Sequence, residues 1–346
     1  LLLYLLSVGV ASCSLKTSVE DLAGISDKPT ISISDLNLVE GTSGNVVFTL
    51  SRVWTSDIVI AYSSSNSSAI APGDYTSISG NLTIAAGQTS ATLAITTIDD
   101  LLYEGDEDFE LNLSVPNVAT FGSSALSVSK SFEIIDNESV PTVQYAAATS
   151  NDSEGTTPHL VEVTLSGPVQ AGVSVNYAVT GGTATGTGTD YTLASGMLTF
   201  ASGQTTKNIS IPVVDDALFE GPETIELNLS APTLVNLGAQ TTHTHTINDN
   251  ETAPTVQYAT ATSAALESAT PHLVAVTLSS ASASVVTVDY SITGGTASGG
   301  GADYTLLDGT LTFAAGSTTQ NISIPVLNDA IYEGNETINF DLSNPT

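Results

Sequence analysis

In 346 residues the sequence holds one cysteine, one methionine, one tryptophan and five basic residues. Each scarcity excludes something. A single thiol, Cys13, forbids an intrachain disulfide and any Cys-based zinc site. Five Lys and Arg against 36 Asp and Glu, a formal net charge of −31, exclude the clustered cations that nucleic acid and anionic membrane surfaces demand. Long apolar runs are missing as well: residues 1–10 (LLLYLLSVGV) are about half of the ~20 that a membrane-spanning helix needs. What remains is rich in Val, Ile, Thr and Ser, which favour strands over helices. An apolar fraction of 41% is too high for a disordered acidic tail. These counts predict an all-β protein whose natural ligands are cations.

The short apolar run reads as the remnant of a secretory signal, with neither an initiator Met nor a charged segment before it. Val10-Ala11-Ser12-Cys13 resembles a bacterial lipobox, in which the cysteine is lipidated and leads the mature protein. Residues 1–13 are therefore expected to be a partial signal peptide with lipobox, and 14–29 a linker. One lipidated Cys13 would hold the chain at an extracytoplasmic bacterial surface or outer membrane without a spanning helix.

Self-similarity organises the rest. PTVQYA stands at 141–146 and 254–259, 113 residues apart. Asp-Tyr recurs at Asp74, Asp190 and Asp303, and a Tyr/Phe-Glu-Gly step recurs at Tyr103, Phe219 and Tyr332, each with spacings of 116 and 113. A period this long suits whole domains rather than solenoid coils. The expected repeats are 30–139, 140–252 and 253–346, the last breaking off before its final strand, so that the chain reads as a fragment.

Within a repeat, apolar residues alternate with period two between Gly, Asn, Asp and Ser clusters. In the first repeat this predicts seven strands, A to G, at 30–38, 44–50, 58–63, 80–84, 91–98, 108–113 and 126–135. Seven short strands in about 110 residues indicate an antiparallel, immunoglobulin-like Greek-key sandwich. The A-B, C-D and E-F turns and the end of G then share one pole. Six acids fall there: Glu40, Asp74, Asp99, Asp100, Glu104 and Asp136. The second repeat supplies Glu154, Asp190, Asp215, Asp216, Glu220 and Asp249. The third supplies Glu267, Asp303, Asp329 and Glu333, with Asn328 where the others have Asp.

Two carboxylates 4 Å apart repel by about 4 kcal/mol at an effective dielectric near 20. A crowded set must be neutralised by protons, dispersed into solvent as an acidic rim, or bound to a hard cation. Calcium takes 6–8 oxygen ligands in tolerant geometry, magnesium keeps more water, and zinc prefers His or Cys. Recurrence of the whole set favours calcium. Asp136 and Asp249 lie just before Pro141 and Pro254, where the next repeat starts. An ion there would stiffen the joint between beads.

Taken together, Glu in the A-B turn, Asp-Tyr, Ile/Val-Asp-Asp followed by Tyr/Phe-Glu-Gly-x-Glu, and a closing Asp-Asn-Glu resemble the Calx-β domain. This is the calcium-binding module of sodium/calcium exchangers, found also in tandem in bacterial surface proteins. The resemblance covers residue 30 to the C-terminus, and it implies that the acids named above are calcium ligands, joined by backbone carbonyls near Leu102 and Leu218. Exchanger-type sites have a third consecutive Asp where this chain has Leu101, Ala217 and Ala330, and more acids where it has Asn137 and Asn250. The departure implies one or two ions per domain and weaker binding.

No catalytic constellation emerges. His159 and His272 are repeat equivalents expected at strand starts, and His243 and His245 are expected on a solvated face of strand G. Gly181-Gly182 is expected in a turn, and Trp54 with Arg52 in packing near the B-C turn. The expectation is a non-enzymatic stalk or adhesion and cell-communication module with Ca²⁺ as its cofactor. Its partners would be calcium ions and other surface proteins or glycans, with the membrane reached only through the lipid anchor. The rivals are an accessory region of a larger secreted hydrolase and a metal-free spacer.

Overall fold

The computed structural model describes residues 28–346 apart from 116–117, 123–124 and 171. Cys13, the 1–13 segment and linker residues 14–27 lie outside the described residues. Among the described residues there is no helix, hence none long and apolar enough to cross a membrane. The described residues divide into two compact units, 28–140 with 168–170, and 141–167 with 172–346.

In the first unit the strands are β1 (Thr30–Ile33), β2 (Asn37–Val39), β3 (Ser43–Leu50), β4 (Ile58–Asn66), β5 (Ser79–Ile84), β6 (Ser90–Thr96), β7 (Glu107–Ser114), β8 (Thr120–Phe121) and β9 (Ser127–Ile135). They form two sheets, β6-β3-β1-β8 and β2-β9-β7-β4-β5. Alternate side chains of both enter one core: Val46, Phe48 and Leu50 from β3 meet Phe109, Leu111 and Leu113 from β7. The fold is the expected β-sandwich.

Two local expectations need correction. The strand expected at 30–38 is two strands in different sheets, β1 pairing antiparallel with β3 and β2 running parallel to β9. Ile31 and Leu38 are both buried, yet they stand an odd number of residues apart. One unbroken period-two strand cannot turn both inward. The chain therefore crosses between the sheets over Ser34-Asp35-Leu36, and the sandwich contains parallel pairs as well as antiparallel ones. Gly181-Gly182 is no turn but the end of a strand, at a register shift. A Cβ on Gly182, at φ +120°, would sit 2.1 Å from Thr224 O, so only glycine fits.

The second unit repeats the plan with β10 (Thr142–Tyr145), β11 (Thr149–Ser153), β12 (His159–Leu165), β13 (Val173–Gly182), β14 (Gly196–Phe200), β15 (Thr206–Ile211), β16 (Leu218–Phe219), β17 (Glu223–Thr233), β18 (Asn236–Leu237) and β19 (Thr242–Asn248). Their main sheets are β15-β12-β10-β18 and β11-β19-β17-β13-β14. It continues through β20 (Val256–Tyr258), β21 (His272–Leu278), β22 (Ala281–Ser282), β23 (Val286–Gly295), β24 (Gly309–Phe313), β25 (Thr319–Ile324) and β26 (Ile338–Ser343), of which all but β22 build two three-stranded sheets, β20-β21-β25 and β24-β23-β26. The strand β16 pairs in parallel with β22, and the Ala283 N–H and Ser282 hydroxyl donate to Phe219 O at 3.1 and 3.2 Å.

The aromatic after each recurring Asp anchors the pole to the core. Tyr75 is buried and stacks on Phe109 with centroids 4.5 Å apart, and Phe109 stacks in turn on Phe132 at 5.8 Å. Tyr191 and Tyr304 are likewise buried. Trp54 packs against the same core with the Arg52 guanidinium 5.7 Å from its ring centroid, as expected of a packing role. Replacing Phe109 by alanine should destabilise the first sandwich by about 3–5 kcal/mol. Urea unfolding followed through the fluorescence of Trp54 measures this directly, and an unshifted midpoint would contradict the anchoring role.

Candidate metal centre

The acids of the first sandwich reach their pole from separate elements. Glu40 directly follows β2, where its N–H donates to Ile135 O at 3.1 Å; it is 7% exposed. Gly41, at φ +67°, turns the chain so tightly that a Cβ there would meet Asp99 Cβ at 2.7 Å. Asp136 directly follows β9 and accepts the Glu104 and Gly105 N–H groups on Oδ2 at 2.8 and 2.5 Å and the Glu138 N–H on Oδ1 at 2.8 Å. Asp100 accepts the Leu102 N–H at 2.6 Å, Asp74 accepts the Ile70 N–H at 2.5 Å, and the Asn137 amide donates to Asp99 at 2.7 Å. These bonds hold the carboxylates in place while leaving other oxygens free.

Two triads result. One oxygen each from Glu40, Asp136 and Glu138 lies within 4.8 Å of the others, and the same is true of Asp74, Glu104 and Glu107. The second sandwich reproduces both, as Glu154, Asp249, Glu251 and as Asp190, Glu220, Glu223. Its wiring matches: Asp249 accepts Glu220 and Gly221 N–H groups at 2.7 Å each, Asn250 donates to Asp215 at 3.0 Å, and the Asp216 N–H donates to Glu154 at 3.0 Å. Asp190 accepts the Thr185 N–H.

The third repeat is looser. Asp303 accepts the Ser298 N–H at 2.5 Å and Asp329 the Ile331 N–H at 2.6 Å. Glu267 and Asn328 are exposed, whereas Glu40 and Glu154 are buried. Among the described residues no strand occupies the place that β9 and β19 fill in the first two sandwiches.

The acid lists read from sequence omitted Glu107, Glu138, Glu223, Glu251 and Glu336. Their signal was present in the second Glu of Glu-Gly-x-Glu and the Glu of Asp-Asn-Glu, both conspicuous motifs. Asn137 and Asn250, read as missing acids, donate hydrogen bonds to Asp99 and Asp215 instead.

Electrostatics reports the crowding. Burial, followed by Asp136, Glu138, Glu104 and Asp100, pushes Glu40 from 4.5 up to about 8. Burial and the adjoining Asp74 push Glu107 to about 7. In the second sandwich Glu220 and Glu223 both rise to about 7, from burial first and Asp190 next. Asp249 goes the other way: burial pulls it up, but the N–H donors of Gly221, Glu251 and Glu220 outweigh that. Glu333 is raised by Asp303 first. Buried oxygens of Glu40, Glu107, Glu138 and Glu251 have no hydrogen-bond partner. An all-oxygen donor set with orphaned lone pairs fits a hard cation of calcium type.

The Calx-beta domain family matches residues 25–138, 136–251 and 249–346. Sodium/calcium exchanger 1 of Bos taurus is 28% identical over 232 residues, covering 62% of this chain and 24% of the exchanger. Extracellular matrix protein 3 of Lytechinus variegatus is 29% identical over 203 residues, covering 55% of this chain and 6% of that protein. The chain thus spans a quarter or less of these relatives. A crystal structure of the apo-form Calx CBD1 domain is 27% identical, covering 33% of this chain and all of that one, with a TM-score of 0.31.

A carboxyl group whose folded pKa is raised contributes stability in full below about 4.5 and loses it as pH rises through the folded value. With metal chelated, the melting temperature should therefore fall between pH 5 and pH 8, as Glu40, Glu107, Glu220 and Glu223 ionise. A calorimetric midpoint that climbs across this window would refute the crowding.

Proposed function

The chain belongs to the Calx-beta domain family, and on that premise we propose that it is a non-enzymatic, calcium-binding repeat module, a stalk or adhesion region that calcium stiffens. Orphaned buried carboxylate oxygens carry the reading, because protons or cations must satisfy them and four of the acids have pKa values near or above neutrality only while no metal is bound. The ligands are Glu40, Asp74, Asp99, Asp100, Glu104 and Asp136 with Glu107 and Glu138, and their equivalents in the second repeat. The third repeat contributes Glu267, Asp303, Asp329 and Glu333, with Asn328 at its outer edge. Two triads per sandwich argue for up to two ions each.

Stiffening has a route. Asp215, Asp216 and Glu220 flank Leu218–Phe219, which forms the strand β16 paired to β22. An ion that immobilises this loop immobilises the backbone to which the following repeat is bonded. The lipobox at Cys13 supports tethering to an extracytoplasmic surface, with other surface proteins or glycans as partners. The matrix protein among the relatives agrees with an extracellular setting.

Calcium should raise the melting midpoint by mass action and chelator should reverse it. In the double variant Asp99→Asn, Asp100→Asn, the calorimetric calcium titration should lose the first sandwich's share; an unchanged titration would sink the assignment. Amide exchange tests the joint separately, since calcium should slow exchange at 216–221 at least tenfold, and equal rates with and without the ion would rule out stiffening there.

A further inference from the structure

His243 and His245, expected on a solvated face, lie in the core of the second sandwich together with His159, which stands at the start of β12 as expected. His159, His243 and His245 are 1%, 4% and 0% exposed. They form one chain of contacts with backbone carbonyls at both ends. His243 Nδ1 meets Ala147 O at 2.8 Å, His243 Nε2 and His245 Nδ1 both meet Ser150 Oγ at 2.7 Å, His245 Nε2 meets His159 Nδ1 at 2.7 Å, and His159 Nε2 meets Ser153 O at 2.9 Å.

Counting protons exposes a deficit. Five contacts need five hydrogens, and the terminal carbonyls supply none. Three neutral imidazoles and one hydroxyl supply four. The carbonyls fix the outer tautomers, so His243 carries its proton on Nδ1 and His159 on Nε2, leaving His159 Nδ1 bare. If Ser150 donates to His243 and His245 Nδ1 donates to Ser150, every contact is satisfied except the one between His245 Nε2 and His159 Nδ1. There two lone pairs face each other with no water to separate them. Burial, then His159 and His243 against an opposing Asp152, lowers the His245 imidazole to about 4.

We propose that His159 Nδ1 and His245 Nε2, with the Asp152 carboxylate, bind one divalent transition-metal ion of zinc type. An oxygen of Asp152 and one ring nitrogen of each histidine lie within 4.8 Å of one another. The remaining ring nitrogens already donate to Ser153 O and Ser150, the outer-shell arrangement that orients metal-bound imidazole. Nitrogens bound to a tetrahedral zinc ion at 2.0–2.1 Å stand about 3.3 Å apart, so loading opens the 2.7 Å ring contact by about 0.6 Å. The edge strand β11 carries Asp152, the third ligand, and Ser150.

The ion would clasp the sandwich. His159 lies on β12 in one sheet and His245 on β19 in the other. In a chain with a single cysteine, it does what an inter-sheet disulfide does elsewhere. Nitrogen donors also separate it chemically from the carboxylate poles.

The test is Zn²⁺ titrated into the full chain, saturated with calcium, at neutral pH. One equivalent should bind and raise the melting midpoint, and Co²⁺ should give the visible absorption of a tetrahedral site. His159→Gln and His245→Gln should each weaken binding at least tenfold. His272→Gln, whose ring contacts Ser263 at 2.8 Å in the third repeat, should change nothing. Should either core variant fail to fold, nitrogen-15 spectra of the wild-type imidazoles decide: Zn²⁺ must shift His159 Nδ1 and His245 Nε2. Absence of stoichiometric binding, ring signals that ignore Zn²⁺, or binding that survives both core substitutions overturns the proposal.

Discussion

Repulsion among carboxylates is the constraint around which each sandwich is built. A pole that gathers six to eight acids cannot be stable by packing alone, since every additional charge raises the pKa of those beside it. The fold opposes this with backbone dipoles: Asp136 and Asp249 each collect N–H groups from the Glu-Gly step and from two residues ahead. At Asp249 those donors hold the carboxyl below its usual value despite burial. The glutamates around these aspartates, buried or half-buried, register the crowding as raised pKa values. A bound cation reverses that balance, because opposite charge within a few ångströms favours ionisation.

Positioning these acids falls to the core. In each Asp-Tyr pair the tyrosine is buried while its neighbour aims at the pole, so packing of the ring sets the direction of the charge. Gly105 and Gly221, at φ +79° and +78°, let two successive N–H groups converge on one aspartate oxygen. Motifs that look like ligand signatures are therefore in good part scaffold.

That division explains what could be read in the sequence. Period-two alternation made the strands and the sandwich legible, and repetition of Asp-Tyr and Glu-Gly made the pole legible, because both are local patterns. Glu107 escaped because it opens β7, where it could be taken for a solvated strand residue, and Glu138 because it lies in the loop beyond β9. The split of 30–38 was readable in principle from the odd spacing of Ile31 and Leu38. The histidine chain was not. His243 and His245 show only a shared face, and whether that face is wet or dry depends on His159, 86 residues from His245 on the opposing sheet. Such pairing is a property of tertiary packing alone.

The crossing strand ties closure of the sandwich to assembly of the pole. Glu40 and Glu154 sit at the ends of β2 and β11, and each N–H bonds to the strand running parallel to it, at Ile135 O and Asn248 O. Pairing with β9 or β19 is thus what buries the glutamate and brings it to the aspartate that directly follows the same strand. Ligand geometry and the last sheet pairing form together, so a cation that favours one favours the other, and binding at the tip stabilises the whole sandwich rather than the loops alone.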